Sequence, residues 1–404
     1  MNSSSPATDG NRALSSAADP APRPFVTPPT TIQWADLRAR LRATRWPAST
    51  AGTGWSLGAS LSYMRELVEY WAEEYDWPNH EHALTQVPRF HTEIGGASIH
   101  YAHIKARTAG GRPSMPLLLA HGWPDSFWRY TKVIPLLTDP GAHGADPSDA
   151  FDVVVPDMPG FGYSMQPTGT PLNSIAVADL WAQLMTDLGY SRFGAAGGDI
   201  GSGVCRYLSL NHPDRVTALH RLDAGMPAGA ADGHLTNEER TWLTAVTSWT
   251  NTEGAYAAMH RTKPDTAAFG LNDSPSGLAA WIVEKFRSWS DCNGDIEGSF
   301  TKDEILTNVT IYWLTGTIGS SMSIYHANAH IPLNQHTRRV NVPSGFSLFP
   351  ADILTPPEAW LHRTANTVWI SHPPRGGHFA PFEEPDIYAD ELRNFFRPYR
   401  PLST

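Results

Sequence analysis

Cysteine is nearly absent from this chain. Cys205 and Cys292 are its two thiols among 404 residues, too few to frame a disulfide-stapled fold. Basic charge is also scarce: 30 Lys and Arg stand against 40 Asp and Glu, a formal charge of -10. With no basic run, the chain lacks the electrostatic footprint of a nucleic-acid binder. No stretch approaches ~18 continuous apolar residues, so no membrane span is expected. A dinucleotide fingerprint and a His/Cys cluster at ligand spacing are both missing, so neither metal nor organic cofactor is expected. What the chain does hold is turn-formers and indoles. Gly (33) and Pro (34) make up about one residue in six, and the 15 Trp point to a substantial core or an aromatic-lined pocket. The class that remains is a soluble, mildly acidic globular enzyme.

Residues 1–23 are mostly Ser, Ala, Pro and Asn, with a few charges and no apolar run, and read as a disordered tail. They lack the apolar stretch of a secretory signal. Helical periodicity follows from Thr31 to Trp46, closed by Pro47. A second amphipathic helix spans Ser60 to Tyr75, with Tyr63, Leu67, Tyr70 and Trp71 on one face. The period then changes. Extended or apolar runs occur at Ser98–Ile104, Pro116–Ala120, Phe151–Val155, Phe193–Ala196, Val216–Leu222, Phe346–Phe349 and Thr367–Ser371, with a helix at Ser174–Leu188. Strands alternating with helices imply an α/β fold, a mostly parallel sheet with helices on both faces. From about Gly225 to Pro343 the pattern is helical and aromatic. Such an insertion reads as a lid over the carboxyl ends of the strands, where ligands of these sheets bind.

Four motifs sit at strand ends. Gly197-Gly198-Asp199-Ile200-Gly201 joins an apolar strand to the helical run Val204–Leu210. That is the context of a nucleophile elbow, with a carboxylate in the nucleophile position; an ordinary turn with Asp199 as helix N-cap is the other reading. His121-Gly122-Trp123-Pro124 follows a strand where an elbow hydrolase takes one oxyanion donor, which assigns the N–H groups of Trp123 and Ile200. Arg375-Gly376-Gly377-His378-Phe379 follows the last strand and offers His378 as general base. Asp352, after Phe349-Pro350-Ala351, is an acid lying between nucleophile and His in chain order; Asp223, at the end of another strand, competes with it. Gly54-Trp55-Ser56-Leu57-Gly58 matches the serine-hydrolase string, but no strand precedes it.

Taken together, HGWPDSFW, VVVPDMPGFGYS, GGDIGS, TKPDT with LNDSPSGLAAWIVEKF, YWLTGTIGSS, GFSLFPADIL and RGGHFAPFEEP resemble the microsomal-type epoxide hydrolases of the α/β-hydrolase fold. The front segments ADLRARLRATRWP and MRELVEYWAEEYDW resemble the N-terminal domain of that group. The likeness spans about residues 24–396. It implies a tail over 1–23, an N-terminal helical extension over 24–110 packed on the core, core parts over 111–224 and 344–404, and a lid over 225–343. It also implies Asp199 as nucleophile, His378 as base, Asp352 rather than Asp223 as the orienting acid, and Tyr256 and Tyr325 as donors to the epoxide oxygen. Trp123, Pro124 and Phe379 would line the pocket. Two departures stand out: Ile200 replaces a frequent Trp, and Asp352 a frequent Glu, one methylene longer. The membrane-anchoring helix of the animal members has no counterpart, which suggests a soluble, cytoplasmic form.

The implied partners are a small-molecule epoxide and water, with a homodimer one option for assembly and detoxification or secondary metabolism for role. A haloalkane dehalogenase would use the same Asp elbow, and a non-catalytic binding protein could share the fold. The missing indole at Ile200 argues against the first. The joint presence of nucleophile, base, acid and both tyrosines argues against the second.

Overall fold

The computed structural model describes residues 22–28, 30–48, 54–107, 113–224 and 235–401. The expected tail lies outside them except for its last two residues, of which Arg23 pairs in the sheet. The expected boundaries at residues 110 and 225 lie outside them too.

Three helices open the chain after the short strand β1 (Arg23–Pro24). Helix α1 (Thr31–Arg42) buries Leu37 and Leu41. It stops four residues before Trp46, where the Thr44 hydroxyl donates to the Leu41 carbonyl at 2.8 Å. Helix α2 (Leu61–Glu73) buries Met64, Leu67, Val68 and Trp71, an i, i+3, i+4, i+7 stripe. Tyr63 and Tyr70 flank that stripe rather than forming it, since a phenol favours a rim where its hydroxyl finds a partner; Tyr70 donates to Asp303 at 2.7 Å. Helix α3 (Trp77–Thr85), which the sequence pattern did not announce, starts at the cap Asp76 with Pro78 in its first turn.

The sheet has nine strands in the order β1-β2-β3-β5-β4-β6-β7-β8-β9. β1, β2 (Arg89–Ile94) and β3 (Ala97–Ile104) are antiparallel, and β3 meets β5 (Phe151–Pro156) antiparallel. β5, β4 (Met115–Ala120), β6 (Phe193–Gly197), β7 (Val216–Arg221), β8 (Val340–Ser347) and β9 (Ala365–Ser371) form the parallel part. β8 begins well before Phe346. Pro343 lies inside it, and a register shift between Val340 and Pro343 accommodates the missing proline N–H. Helices α4 (Val133–Thr138), α5 (Ser174–Asp187) and α6 (Ile200–Asn211) follow β4, β5 and β6. α5 packs on α6, and α4 on the C-terminal helix Pro385–Phe396, so the sheet is covered on both faces.

The lid comprises α7 (Asn237–Thr252), α8 (Ala255–Thr262), α9 (Pro264–Leu271), α10 (Pro275–Trp289), α11 (Lys302–Thr315), α12 (Ile318–Ala329) and α13 (Leu333–His336). α12 packs on α8 and α9, and α10 on α11, α1 and α2. The N-terminal helices therefore reach the lid directly. The Trp71 indole donates to Thr310 at 3.1 Å, and the Tyr75 and Thr307 hydroxyls pair at 2.9 Å. Among the described residues no helix is long and apolar enough to cross a membrane.

Candidate active site

The chain leaves β6 through a strained turn. Asp199 has φ +55°, a backbone conformation that costs a non-glycine residue about 1–3 kcal/mol and persists only where the surroundings impose it. It sits one residue before α6 and makes no side-chain cap bond, so the N-cap reading does not account for it. Instead the carboxylate turns toward the loop after β4. The Trp123 N–H donates to Oδ1 at 2.8 Å, and the Ile200 N–H adds favourable electrostatics to the carboxylate. Gly122 is required at this approach, because a Cβ there would collide with the Asp199 side chain. Burial pushes the Asp199 pKa up, but hydrogen bonding and charge from His378 and the two backbone donors outweigh it, leaving it below the usual carboxylate value.

His378 and Asp352 come from the loops after β9 and β8. His378 Nδ1 lies 2.7 Å from Asp352 Oδ1, and Nε2 faces Asp199 Oδ2 at 3.5 Å. The shorter acid reaches because the backbone brings it there. Ala351 forms an isolated parallel bridge with Gly377, and its N–H donates to the Gly376 carbonyl at 3.1 Å. The competing Asp223 is placed differently: its Oδ2 accepts the Asp199 N–H at 2.9 Å, so it braces the elbow backbone. Burial works to lower the His378 pKa, but the charges of Asp352 and Asp199 raise it well above the usual imidazole value.

Tyr256 on α8 and Tyr325 on α12 hang from the lid with rings 6.1 Å apart. Burial and the nearby Asp199 charge raise both phenol pKa values, so both are protonated at neutral pH. Trp123 stacks on Tyr256 at 5.3 Å and 12° and meets Tyr325 edge-on at 6.2 Å. Trp289 closes the wall, 5.2 Å from Tyr256 and 5.3 Å from His378. The lid and the loop after β4 are cross-tied, with Asn308 donating to the Pro124 carbonyl at 2.8 Å and Tyr312 to the Asp125 carbonyl at 2.7 Å. Phe379 is fully buried and stacks on Phe286 at 4.2 Å, in the packing between His loop and lid.

A second carboxylate–histidine cluster lies deeper. Asp157 accepts from His100 Nδ1 at 2.8 Å and from the N–H groups of Phe127 at 2.6 Å and Tyr163 at 3.0 Å. It is fully buried, and with those donors around it neither oxygen is presented to a substrate. Ser56 of the serine-hydrolase string lies in a turn before α2, away from any strand end. Three groups at the site had no signal in the sequence. His260, one helical turn after Tyr256, packs 4.6 Å from Trp123 and 4.9 Å from Tyr325. Lys285 lies 4.8 Å over the Tyr256 ring. Arg129, paired with Asp125, donates to the His378 carbonyl. Each reads in sequence as an ordinary polar residue on a helix or turn, and only the folded chain brings it to the site.

Comparison with known proteins agrees with this geometry. Residues 22–130 match the family model described as the epoxide hydrolase N terminus, and residues 115–253 match the alpha/beta hydrolase fold. The chain is 40% identical over 367 residues to a protein of Stigmatella aurantiaca (strain DW4/3-1) named as a candidate epoxide hydrolase, covering 90% of this chain and 82% of that protein. It is 35% identical over 410 residues to Epoxide hydrolase 1 of Sus scrofa, covering 94% and 89%. Among solved structures, juvenile hormone epoxide hydrolase from the silkworm Bombyx mori superposes with a TM-score of 0.86 at 28% identity, covering 94% of this chain and 95% of that one. The Aspergillus niger epoxide hydrolase gives 0.82 at 30% identity, covering 94% and 97%.

Proposed function

The chain belongs to the epoxide hydrolases of the α/β-hydrolase fold, and we propose that it opens an apolar epoxide to a vicinal diol through an ester on Asp199. The observation that carries this assignment of residues is the Asp199 carboxylate itself. One of its oxygens accepts the Trp123 N–H, and the other faces an imidazole.

Asp199 Oδ2 attacks an epoxide carbon from the side opposite the ring oxygen. The C–O bond breaks, its electron pair goes to that oxygen, and Tyr256 or Tyr325 supplies the proton. A phenol with a raised pKa is a weak acid toward water but is well matched to an alkoxide. The ester removes the Asp199 charge that had helped keep His378 protonated. The imidazole pKa then falls, its proton returns to the tyrosinate, and a neutral base becomes available when it is needed. His378 Nε2 takes a proton from water, the water oxygen adds to the ester carbonyl, and charge builds on Oδ1. There the Trp123 and Ile200 N–H groups stabilise it, each by about 2.7–4 kcal/mol. Collapse releases the diol: the departing alkoxide oxygen takes the proton of the newly formed carboxyl group, which leaves Asp199 as a carboxylate beside the imidazolium.

A single turnover in heavy-oxygen water tests this route. The label should appear in the Asp199 carboxylate, and the first diol should carry an unlabelled enzyme oxygen. Label in the first diol would exclude the ester.

The tyrosines make a separate prediction. Tyr256→Phe or Tyr325→Phe should slow epoxide opening by about 10²-fold, and the double variant by about 10⁴-fold, with the ester-hydrolysis step unchanged. Pre-steady-state kinetics reads both steps. An unchanged opening rate in the double variant would remove the phenols from the reaction.

The rings of Trp123, Tyr256 and Trp289 around the carboxylate favour an epoxide carried on an aryl or alkyl group. A cytoplasmic setting accords with two buried free thiols, Cys205 and Cys292.

A further inference from the structure

The loop that carries His378 has little regular structure to hold it. It begins at Gly376, with φ +108°, and passes through Gly377, where a Cβ would meet the Trp289 carbonyl oxygen at 2.6 Å. The N–H groups of residues 376–379 belong to no strand ladder, yet each has a partner. Gly376 donates to Asp291 Oδ2 at 2.9 Å. Gly377 donates to Glu383 Oε2 at 3.1 Å and Phe379 to Glu383 Oε1 at 2.8 Å. His378 donates to the Trp289 carbonyl at 2.7 Å. Glu383 Oε2 accepts a third bond, from the Asp291 N–H at 2.8 Å. One carboxylate thus bonds the residue on each side of His378 and, with its remaining capacity, the segment that follows lid helix α10.

We propose that Glu383 is a positioning residue for the base: it clamps the residues flanking His378 to Asp291, and so keeps the imidazole in register with Asp199 and the lid tyrosines. The assignment rests on the two-step reaction given above. Positioning matters here because the imidazole must reach both a water and the ester carbonyl. A misplacement of about 1 Å in such a geometry costs about 10²-fold in rate. His378 acts only on the ester, so loosening its loop has a signature. Hydrolysis of the ester suffers, whereas its formation, which depends on Asp199 and the tyrosines, does not.

Glu383→Gln keeps the side-chain volume and removes one acceptor oxygen, leaving at least one of the three N–H groups without its carboxylate. Rapid-quench single turnovers with a styrene-type epoxide, followed by intact-protein mass, give the rates of ester formation and loss. The variant should form the ester within about twofold of the wild-type rate and lose it about 10²-fold more slowly, so that adduct accumulates. Equal losses in both steps, tracking a fall in melting temperature, would show a purely structural role and overturn the proposal; unchanged hydrolysis would overturn it as well. Asp291→Asn, which alters only the acceptor for Gly376, should give the same one-sided pattern more weakly, and it decides the matter if Glu383→Gln does not fold. The wild-type enzyme run in the same quench separates the two ideas: absence of any adduct there would count against the ester mechanism and not against the clamp.

Discussion

His378→Gln should consume about one epoxide per protein molecule and then stop, with the substrate mass retained on Asp199. Epoxide opening needs the carboxylate and the phenols, and neither depends on a base. Asp199 stays ionised in the variant because the Trp123 N–H still bonds it and the Ile200 N–H still favours its charge, and ester formation should remain within about tenfold of wild type. Hydrolysis loses its proton acceptor. General-base catalysis is worth about 10²–10⁴-fold, so the ester should outlast many wild-type turnovers. Intact-protein mass after a brief exposure to excess epoxide, with peptide mapping to the segment containing Asp199, checks this. Sustained turnover near the wild-type rate, or an adduct on another residue, would overturn the assignment of the base.

Asp199→Ala has a larger effect on turnover and a second, independent consequence. Loss of the nucleophile should abolish measurable diol formation, a fall of at least about 10⁵-fold by analogy with other covalent hydrolases. No adduct should form under any quench. The variant also removes the negative charge 3.5 Å from His378 Nε2. That charge favours the imidazolium, so its removal should lower the His378 pKa. The direction can be checked by following the His378 ring protons by NMR across the titration. The neutral imidazole should then be present at lower pH than in the wild-type resting enzyme, as the ester intermediate requires. A His378 pKa that stayed put or rose would show that Asp199 does not set its protonation, and the account of how the base is released would fall.

Much of this site could be read from the chain because the chemistry sits at strand ends. Apolar runs such as Phe193–Ala196 are legible through burial on both faces of a parallel sheet, and the turn residues that follow them mark where side chains emerge. Asp199, His378 and Asp352 each stand just beyond such a run. Element ends were less legible. α1 stops at Arg42, where the Thr44 hydroxyl closes the last turn, while β8 extends back across Pro343 through a register shift. Both depend on hydrogen bonds that a hydrophobic pattern does not encode. The burial stripe of α2 keeps Leu67 and Trp71 but runs through Met64 and Val68 rather than Tyr63 and Tyr70, for a related reason: the pattern treats Tyr as apolar, but Tyr70 sends its hydroxyl out to Asp303.

Residue chemistry and chain order alone carried the α/β architecture, and they put forward Asp199, Asp352 and His378 in the chain order of the proposed nucleophile, acid and base, because strand burial and turn composition are local properties. They left Asp223 and Asp352 as equal candidates on local grounds, since both are acids just after strands; family resemblance favoured Asp352. The folded chain gives the two acids separate tasks. The bridge between Ala351 and Gly377 brings Asp352 to the imidazole, whereas Asp223 meets the elbow backbone. The same holds for Glu383 beneath the His378 loop and for the aromatic wall of Trp123, Tyr256 and Trp289. Each of these contacts joins groups brought together by packing, and packing specificity arises from the shape of the whole core rather than from any one segment.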